Sequence, residues 1–250
     1  MRKLGLIGFP LSHSFSKKYY VEKFIQEGIQ DIDYDLYPLP SIEDFKDLYT
    51  NDINLYGVNV TIPYKQEVIP FLNELSEEAK EMSAVNCIQI KRMEGQSAPY
   101  LKGFNTDAYG FTESLKPLLK SHHKKALILG NGGATKAVVY SLQQLGIEFR
   151  IVSRKADQHQ YAYDQLTEDI IKQYPLIINC SPVGTYPNVD ECPNIPYEGI
   201  TQEHLLYDLI YNPVETMFLA KGKAQGAAIK NGYEMLILQA EKNWEIWNQE

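Results

Sequence analysis

Short apolar runs alternate with amphipathic stretches along most of the chain. The first run, residues 3–8, predicts a buried strand, and residues 16–27 have the apolar spacing of an amphipathic helix that Gly28 would end. Three side chains of this helix are expected to face inward: Tyr20, Phe24 and Ile25. A strand followed by a helix is the repeating unit of α/β proteins, so the pattern favours that class.

The same alternation continues through the first half of the chain. Further strands are predicted over residues 33–37, 57–62, 84–91 and 100–103. Helical segments are predicted over residues 41–48, 64–71, 74–81 and 109–115. Ser41 with the acid Asp44 three residues later has the order of a capping box, which marks the start of the first of these helices.

A more regular unit begins after the polar stretch 121–125. Residues 126–129 predict a strand, residues 135–145 a helix and residues 149–152 the next strand, which together make a βαβ unit of about 30 residues. Two more strands are predicted over residues 176–179 and 205–209, and a closing helix over residues 233–247. The apolar positions of that helix are Leu236, Ile237, Ala240, Trp244 and Trp247.

Length and charge narrow the possible partners. A chain of 250 residues suits one large domain or two small ones. The 24 Lys+Arg against 32 Asp+Glu give a net charge of −8, which argues against a nucleic-acid surface, since phosphate binding needs clustered cations. Any anionic ligand must therefore be held by a local feature.

Cysteines and apolar runs bear on location. The three cysteines are far apart and form no CxxC pair, which favours a reducing compartment. The longer apolar runs fall well short of the ~18 residues that span a bilayer, and Pro10 cuts short the one near the N-terminus. We expect a soluble, cytoplasmic protein with no membrane partner.

The turn between the first strand and helix of the regular unit is rich in glycine. It consists of Gly130, Asn131, Gly132, Gly133 and Ala134. Glycines in such a turn let the backbone approach a pyrophosphate, whose charge then faces the helix N-terminus. The strict GxGxxG pattern is not met, because Thr135 occupies its third glycine position. We interpret the turn as a dinucleotide site, with a tight turn that binds nothing as the alternative.

A basic turn after the second strand of this unit bears on the choice of cofactor. Folds that select NAD usually carry an acid about 20 residues after the first glycine, to bind the ribose diol. Here the strand ends in Ser153, Arg154 and Lys155, with no acid. Two cations and a hydroxyl suit a 2′-phosphate, so NADP is favoured over NAD. A solvated basic turn is the alternative.

Polar side chains are concentrated in the first half of the chain. Asn59 and Thr61 share one face of their strand, and Lys65 follows near its carboxyl end, where open α/β sheets bind ligands. The remaining members of this polar set are Ser14, Ser16, Asn86 and Asp107. Taken singly, each is more typical of a cap or a surface position. Together they predict a pocket for a polyhydroxylated molecule, because every hydroxyl removed from water needs a partner.

These motifs together resemble the shikimate dehydrogenase family. The most specific are residues 59–65, Asn-Val-Thr-Ile-Pro-Tyr-Lys, and residues 105–107, Asn-Thr-Asp. Further matching segments are residues 5–10 with 12–16, 84–86, 129–134, 179–184, 207–213 with Thr216, and 232–239. They occur in family order, so the resemblance covers nearly the whole chain.

The resemblance implies a role for each matching residue. Lys65 and Asp107 would form the catalytic pair. The substrate would be bound by Ser14, Ser16, Asn59, Thr61, Asn86, Tyr211 and Gln239, and NADP by residues 130–134, Ser153, Arg154, Lys155, Ser181 and Gly232. The implied reaction is the reversible NADPH-dependent reduction of 3-dehydroshikimate to shikimate, in aromatic amino-acid biosynthesis. No metal is expected, and the five histidines show no metal-ligand spacing.

The resemblance also implies an architecture. Residues 1–106 and 231–250 would form an N-terminal α/β substrate domain, and residues 107–230 a Rossmann-like NADP-binding domain, with a cleft between them. The sequence leaves a monomer and a homodimer equally open, because the apolar face of the closing helix suits a core or an interface.

Two other functions remain open. A related enzyme acting on quinate or a similar cyclohexane acid, with NAD, is one; Ser14 with Ser16 favours shikimate, because quinate enzymes of this kind often carry Thr at one position. Arg154 argues against NAD, although the neighbouring residues depart from the Asn-Arg-Thr usual in family members that prefer NADP. A non-catalytic dinucleotide sensor is the other, and it would have no need of Lys65 and Asp107.

Overall fold

The computed structural model describes residues 1–11, 14–96, 98–155 and 160–249. They form two compact units, Met1–Thr106 with Ala240–Glu250, and Asp107–Gln239. The motif residues Ser12 and His13 lie outside the described residues. Mixed strands and helices in both units confirm the α/β class.

The first unit is a mixed sheet with helices on its faces. Its strands are β1 (Arg2–Gly8), β2 (Ile32–Pro38), β3 (Leu55–Val60), β4 (Glu74–Leu75), β5 (Cys87–Lys91) and β6 (Tyr100–Phe104). Its helices are α1 (Phe15–Glu27), α2 (Asp44–Asn51) and α3 (Glu77–Met82). The sheet runs in the order β2-β1-β3-β5-β6-β4, with β1 parallel to both β2 and β3, and β5 antiparallel to β3 and β6.

Local structure in the first unit differs from the sequence prediction at several places. The helix predicted over residues 74–81 begins only at Glu77, because residues 74–75 form strand β4, and the strand predicted over residues 84–91 begins at Cys87. The helix predicted over residues 64–71 is a series of turns that ends in a 3-10 turn, Ile69–Phe71, because Pro70 cannot donate the hydrogen bond that a helix needs. Helix α2 begins at Asp44, three residues later than predicted, although the Asp44 carboxylate accepts from the Ser41 N–H as in the predicted capping box. The side chain of Ile25 is 76% exposed, so its predicted inward orientation is wrong.

The second unit is a parallel sheet. Its strands are β7 (Lys125–Leu129), β8 (Glu148–Ser153), β9 (Gln160–Ala162), β10 (Leu176–Asn179), β11 (Leu205–Asp208) and β12 (Ala228–Lys230). Its helices are α4 (Asp107–Leu115), α5 (Thr135–Gln144), α6 (Glu168–Gln173) and α7 (Met217–Ala224). The sequence prediction missed α6, α7 and the short strands β9 and β12.

The strand order of the second unit locates its ligand site. The sheet runs β9-β8-β7-β10-β11-β12, which is the 3-2-1-4-5-6 order of dinucleotide-binding folds when the strands are counted within the unit. The order reverses between β7 and β10, which are paired in register from Leu176 with Ala126 to Asn179 with Leu129. In such sheets ligands bind beyond the carboxyl ends of the strands at this reversal. Two apolar clusters cover the faces of the sheet and hold it rigid.

The last helix, α8 (Tyr233–Trp247), is divided between the units. Residues 231–239 therefore group with the second unit, which differs from the expected boundary. The physical reason is local packing: Met235 is buried in one core with Phe111, and a Cβ on Gly110 would lie 3.1 Å from the Cβ of Gln239. After residue 239, Trp247 is buried in the first unit and donates to the Ile88 carbonyl at 3.0 Å.

The buried face of α8 contains two amides. The side chains of Gln239 and Asn243 are 7% and 0% exposed, and they alternate with apolar ones along the stripe. Two of the residues predicted to be buried, Ala240 and Trp247, are buried, whereas Leu236, Ile237 and Trp244 are only half-buried.

No helix in the described part of the chain has the length and apolar character needed to cross a membrane.

Candidate functional site

The predicted polar residues of the first unit follow the carboxyl ends of its parallel strands. Ser14 caps α1, since its hydroxyl accepts from the Lys17 N–H at 3.2 Å. Thr61 directly follows β3, and its N–H donates to the Ile7 carbonyl of β1 at 3.0 Å. Lys65 is half-buried, and its carbonyl accepts from the Val85 N–H at 2.7 Å. The capping alternative is thus correct for Ser14, and it leaves a role in binding open.

A chain of side-chain hydrogen bonds starts at Tyr34, a residue with no exposed surface. Burial raises the pKa of Tyr34 well above its usual value, and the nearby Ser16 side chain offsets part of that effect. The Tyr34 hydroxyl donates to Asn59 Oδ1 at 2.8 Å, and Asn59 Nδ2 donates to the Asn86 carbonyl at 3.2 Å. These contacts determine which way the Asn59 amide points.

The Asn86 amide is held in the same manner by Thr106. The Thr106 N–H donates to Asn86 Oδ1 at 2.8 Å, and Asn86 Nδ2 donates to Thr106 Oγ1 at 3.0 Å. The Thr106 hydroxyl in turn donates to Asn243 Oδ1 of α8 at 2.7 Å. Two predicted site residues, Asn59 and Asn86, and three unpredicted ones therefore belong to one buried network. The unpredicted members are Tyr34, Thr106 and Asn243.

The other predicted substrate residues belong to the second unit. Asp107 is the first residue of α4, and Tyr211 follows β11 with 39% of its side chain exposed. Gln239 lies on the buried face of α8, and its Nε2 donates to the Leu236 carbonyl at 2.9 Å. Gly232, predicted to bind the cofactor, is packed so tightly that a Cβ would collide with the Leu209 carbonyl. Close packing alone therefore accounts for glycine at this position.

A large cavity opens at the strand reversal of the second unit. It has a volume of about 1210 Å³. Its walls come from the turns after β7, β8 and β10, together with a loop around residues 192–194. Of the predicted cofactor residues, those lining it are Gly130, Asn131, Gly132, Ser153, Arg154, Lys155 and Ser181. The cavity is thus where the strand order predicts a ligand.

The glycine turn presents an open backbone to this cavity. Gly130 has a φ of +106°, a conformation that side chains disfavour, whereas a Cβ on Gly132 or Gly133 would meet nothing within 4 Å. The buried Thr135 hydroxyl donates to the Gly130 carbonyl at 3.0 Å and accepts from the Gly132 N–H at 3.1 Å. Thr135 therefore braces the turn from its own side chain, which explains the departure from GxGxxG.

The start of α5 and the basic turn make the cavity suitable for phosphate. Ala134 precedes α5 and supplies no side-chain cap, so the positive end of the helix dipole is available to an anion. The Ser153 hydroxyl donates to the Lys155 carbonyl at 2.7 Å and accepts from its N–H at 3.3 Å. Ser153 thus shapes the turn from within, and the exposed Arg154 and Lys155 are its cationic side chains.

The second unit also contains a buried carboxylate that sequence reasoning missed. Asp208 ends β11 and has no exposed surface. Burial raises its pKa from 3.8 to about 6, although hydrogen bonds from Thr216, Ile210 and Asn179 lower it in part. The only signal in the sequence was its place within the matching segment 207–213.

Among the described residues, no group of three or more His, Cys, Asp or Glu side chains is arranged to hold a metal ion.

The chain is similar to known proteins over nearly its full length. The profile of the shikimate dehydrogenase substrate binding domain matches residues 6–88. Shikimate dehydrogenase (NADP(+)) of Clostridium beijerinckii is 38% identical over 100% of this chain and 93% of the relative. The enzyme of the same name from Carboxydothermus hydrogenoformans is 37% identical over 97% of this chain and 90% of the relative.

One solved structure has the same fold over nearly the whole chain. It is the crystal structure of shikimate 5-dehydrogenase from Thermus thermophilus in complex with NADP(H) and shikimate. Its TM-score is 0.83 at 28% identity, and the match covers 99% of this chain and 93% of that chain.

Proposed function

Since the chain belongs to the shikimate dehydrogenase family, we propose that it catalyses the reversible reduction of 3-dehydroshikimate to shikimate with NADPH. The observation that carries the proposal is the cavity of the second unit. An open glycine turn, a helix start without a side-chain cap and two neighbouring cations suit a dinucleotide that bears an additional phosphate.

Lys65 is the proton donor in this proposal. NADPH, when bound, supplies the hydride to the ring ketone. The reduced carbonyl oxygen then carries a developing negative charge, and the Lys65 ammonium stabilises that charge and donates a proton to the oxygen. Asp107 is the second member of the catalytic pair in this proposal. The pair supplies the acid that protonates the alkoxide.

The amides and hydroxyls of the first unit bind the substrate. Asn59 and Asn86 suit this role because their neighbours already hold both amides, so little side-chain entropy is lost on binding. The remaining substrate ligands in the proposal are Ser14, Ser16, Thr61, Tyr211 and Gln239. Shikimate carries several hydroxyls and a carboxylate, and each of these groups needs a partner once water is displaced.

Arg154 and Lys155 read the 2′-phosphate of NADP. Arginine offers paired N–H donors that match phosphate oxygens, and lysine adds a second charge. The Ser153 hydroxyl is already used within the turn, so we assign it to shaping the turn.

The free thiols of Cys87, Cys180 and Cys192 suit a reducing compartment such as the cytoplasm, where we propose the enzyme works.

The decisive experiment follows NADPH absorbance with 3-dehydroshikimate, then repeats the assay with NADH and, in the oxidative direction, with quinate. We expect turnover with 3-dehydroshikimate and a clear preference for NADPH. Turnover with quinate and none with shikimate would transfer the assignment to the quinate enzyme. Binding of NADPH with no turnover of either acid would identify a sensor.

Lys65→Met tests the proton donor. It should lose most of kcat while the Kd for shikimate, measured by calorimetry, changes modestly, because the lost charge acts mainly on the transition state. Lys80→Met is the matched control, since the Lys80 side chain is 53% exposed and pairs with Glu77 on the surface. A Lys65→Met enzyme with near-normal kcat would contradict the assignment.

Arg154→Ala tests the phosphate contact. It should raise KM for NADPH far more than KM for NADH, because only NADPH carries the 2′-phosphate. Lys172→Ala, which removes a half-exposed cation of α6, is the control. Equal effects on the two cofactors would show that Arg154 does not read the phosphate.

A further inference from the structure

Asp208 is a buried carboxylate at the end of a central strand. It accepts three hydrogen bonds, from Asn179 Nδ2 at 3.0 Å, the Ile210 N–H at 3.1 Å and the Thr216 hydroxyl at 2.6 Å. Asp208, Asn179 and Thr216 have no exposed surface. Burying a charge is costly, and a fold that needed only packing here would be served by an apolar side chain.

One arm of this network leads to the cofactor cavity. Asn179 ends β10, and its Oδ1 accepts from both the Ser181 N–H at 3.0 Å and the Ser181 hydroxyl at 2.7 Å. Ser181 and the following Val183 line the cavity, and the Val183 N–H donates back to the Ser181 hydroxyl at 3.4 Å. The amide of Asn179 thus joins the buried carboxylate to the wall of the cavity.

The other arm leads away from the cavity into a helix. Thr216 caps α7, because its Oγ1 accepts from the Leu219 N–H at 3.3 Å while its hydroxyl hydrogen goes to Asp208. Among the residues that line the cavity, neither Thr216 nor any residue of α7 appears. The two arms therefore share one carboxylate and separate after it.

The acceptor oxygen of Asp208 determines which way the Asn179 amide points. A carboxylate only accepts hydrogen bonds, so it selects the orientation in which Nδ2 faces it. Oδ1 must then face Ser181, where two donors meet it. In the flipped orientation Oδ1 would face the Asp208 carboxylate and the N–H₂ would face the Ser181 N–H, so two acceptors and two donors would oppose each other in a buried place at a large cost.

We propose that Asp208 is a positioning residue for cofactor binding, which sets the Asn179 amide and through it the turn of Ser181 that forms one wall of the cavity. This inference rests on the proposed function, because it takes the cavity to be the NADPH site. Asp208 itself touches no ligand. It acts through Asn179, and its partner Thr216 serves the fold alone.

The test compares the two arms. NADPH binding to full-length variants is measured by fluorescence titration, and the stability of each by urea unfolding. Asn179→Ala and Asp208→Ala should each weaken NADPH binding about tenfold, the scale of a misplaced hydrogen-bonding wall. Thr216→Val should lower the urea midpoint yet leave the Kd for NADPH within about twofold.

Two further variants distinguish positioning from general loosening. Asp208→Asn keeps an oxygen toward Asn179, with its own amide toward Thr216, so it should restore NADPH binding to near the wild-type level. Because Asn179 and Ser181 act in series, Asn179→Ala and Ser181→Ala should be non-additive in the double variant. In all of these variants the Kd for shikimate should change less than the Kd for NADPH, because none of the substituted residues is a proposed substrate ligand.

Each outcome supports or overturns the inference. If Asp208→Ala does not fold, the NADPH affinity of Asn179→Ala is compared with that of Thr216→Val, with the carboxylate still in place. A Thr216→Val variant that loses NADPH affinity as much as Asn179→Ala would overturn the inference in favour of a structural role, as would an Asn179→Ala variant with wild-type affinity. A wild-type protein that binds no NADPH would sink the proposed function itself and this inference with it.

Discussion

Replacing Asp208 by Asn should stabilise the second unit at neutral pH. Burial raises the pKa of Asp208 from 3.8 to about 6 in the folded protein. Between these two values the folded state keeps a proton that the unfolded chain has released. Folding then binds a proton, so stability falls as the pH rises through this window. Asparagine is neutral throughout and avoids that loss.

The size of the effect follows from the separation of the two pKa values. About two units correspond to about 3 kcal/mol of unfolding free energy that the wild type loses between about pH 4 and about pH 7. Asparagine retains an acceptor for Asn179 and for the Ile210 N–H, so the hydrogen-bond geometry is preserved. The difference in stability between the variant and the wild type should therefore grow by about that amount across the window.

Urea unfolding at several pH values measures this difference. Circular dichroism reports on both units, whereas the fluorescence of Trp244 and Trp247 reports on the first unit, so an effect seen by dichroism and not by fluorescence belongs to the second unit. Asp190→Asn, which neutralises an exposed carboxylate of the second unit, is the control and should show no such trend. A stability difference for Asp208→Asn that stays constant with pH would refute the reasoning.

Three further predictions concern other buried groups. Tyr34→Phe removes the donor to Asn59 Oδ1, so it should cost about 1–3 kcal/mol in tryptophan-monitored unfolding and raise KM for shikimate; an unchanged KM would separate Tyr34 from the site. Burial lowers the pKa of His123 below 6.5, so the contribution of His123 to wild-type stability should fall below about pH 6.5, where the unfolded chain takes up a proton. His123→Gln should flatten that slope in urea unfolding, and an unchanged slope would exclude His123. Gly232→Ala should lower Tm, because its Cβ would collide with the Leu209 carbonyl; an unchanged Tm would show that this loop can relax.

Local signals were sufficient to predict the regular elements. Every strand and helix end of the βαβ unit around the glycine turn was predicted to within one residue. Glycines mark the turns of this unit, and the apolar period changes from strand to helix. Strand β10 and helix α8 match their predicted bounds. Where tertiary contacts decide, prediction failed: residues 64–71 have apolar spacing, yet the backbone at Lys65 bonds Val85 from a distant segment.

The candidate site shows the same division. Motifs located the polar residues of both units. No local pattern indicates that Tyr34 forms a hydrogen bond with Asn59, or that Asp208 forms one with Asn179 on the neighbouring strand. Such polar groups are buried only because a partner distant in sequence satisfies them. Hydropathy assigns them to the surface, and for this reason the buried amide Asn243 of α8 was also missed.

The divided helix α8 has a consequence for how the protein is made. One core cluster of the first unit combines Tyr20 with Ala240, Ile246 and Trp247, yet the whole of the second unit lies between them in the chain. A ribosome therefore releases every residue of the second unit before the first can complete this core. The second unit can fold as it emerges, whereas the first must wait with part of its apolar surface in water. During synthesis the domain that begins the chain is thus the last to be finished, and it is the one that chaperones would need to protect.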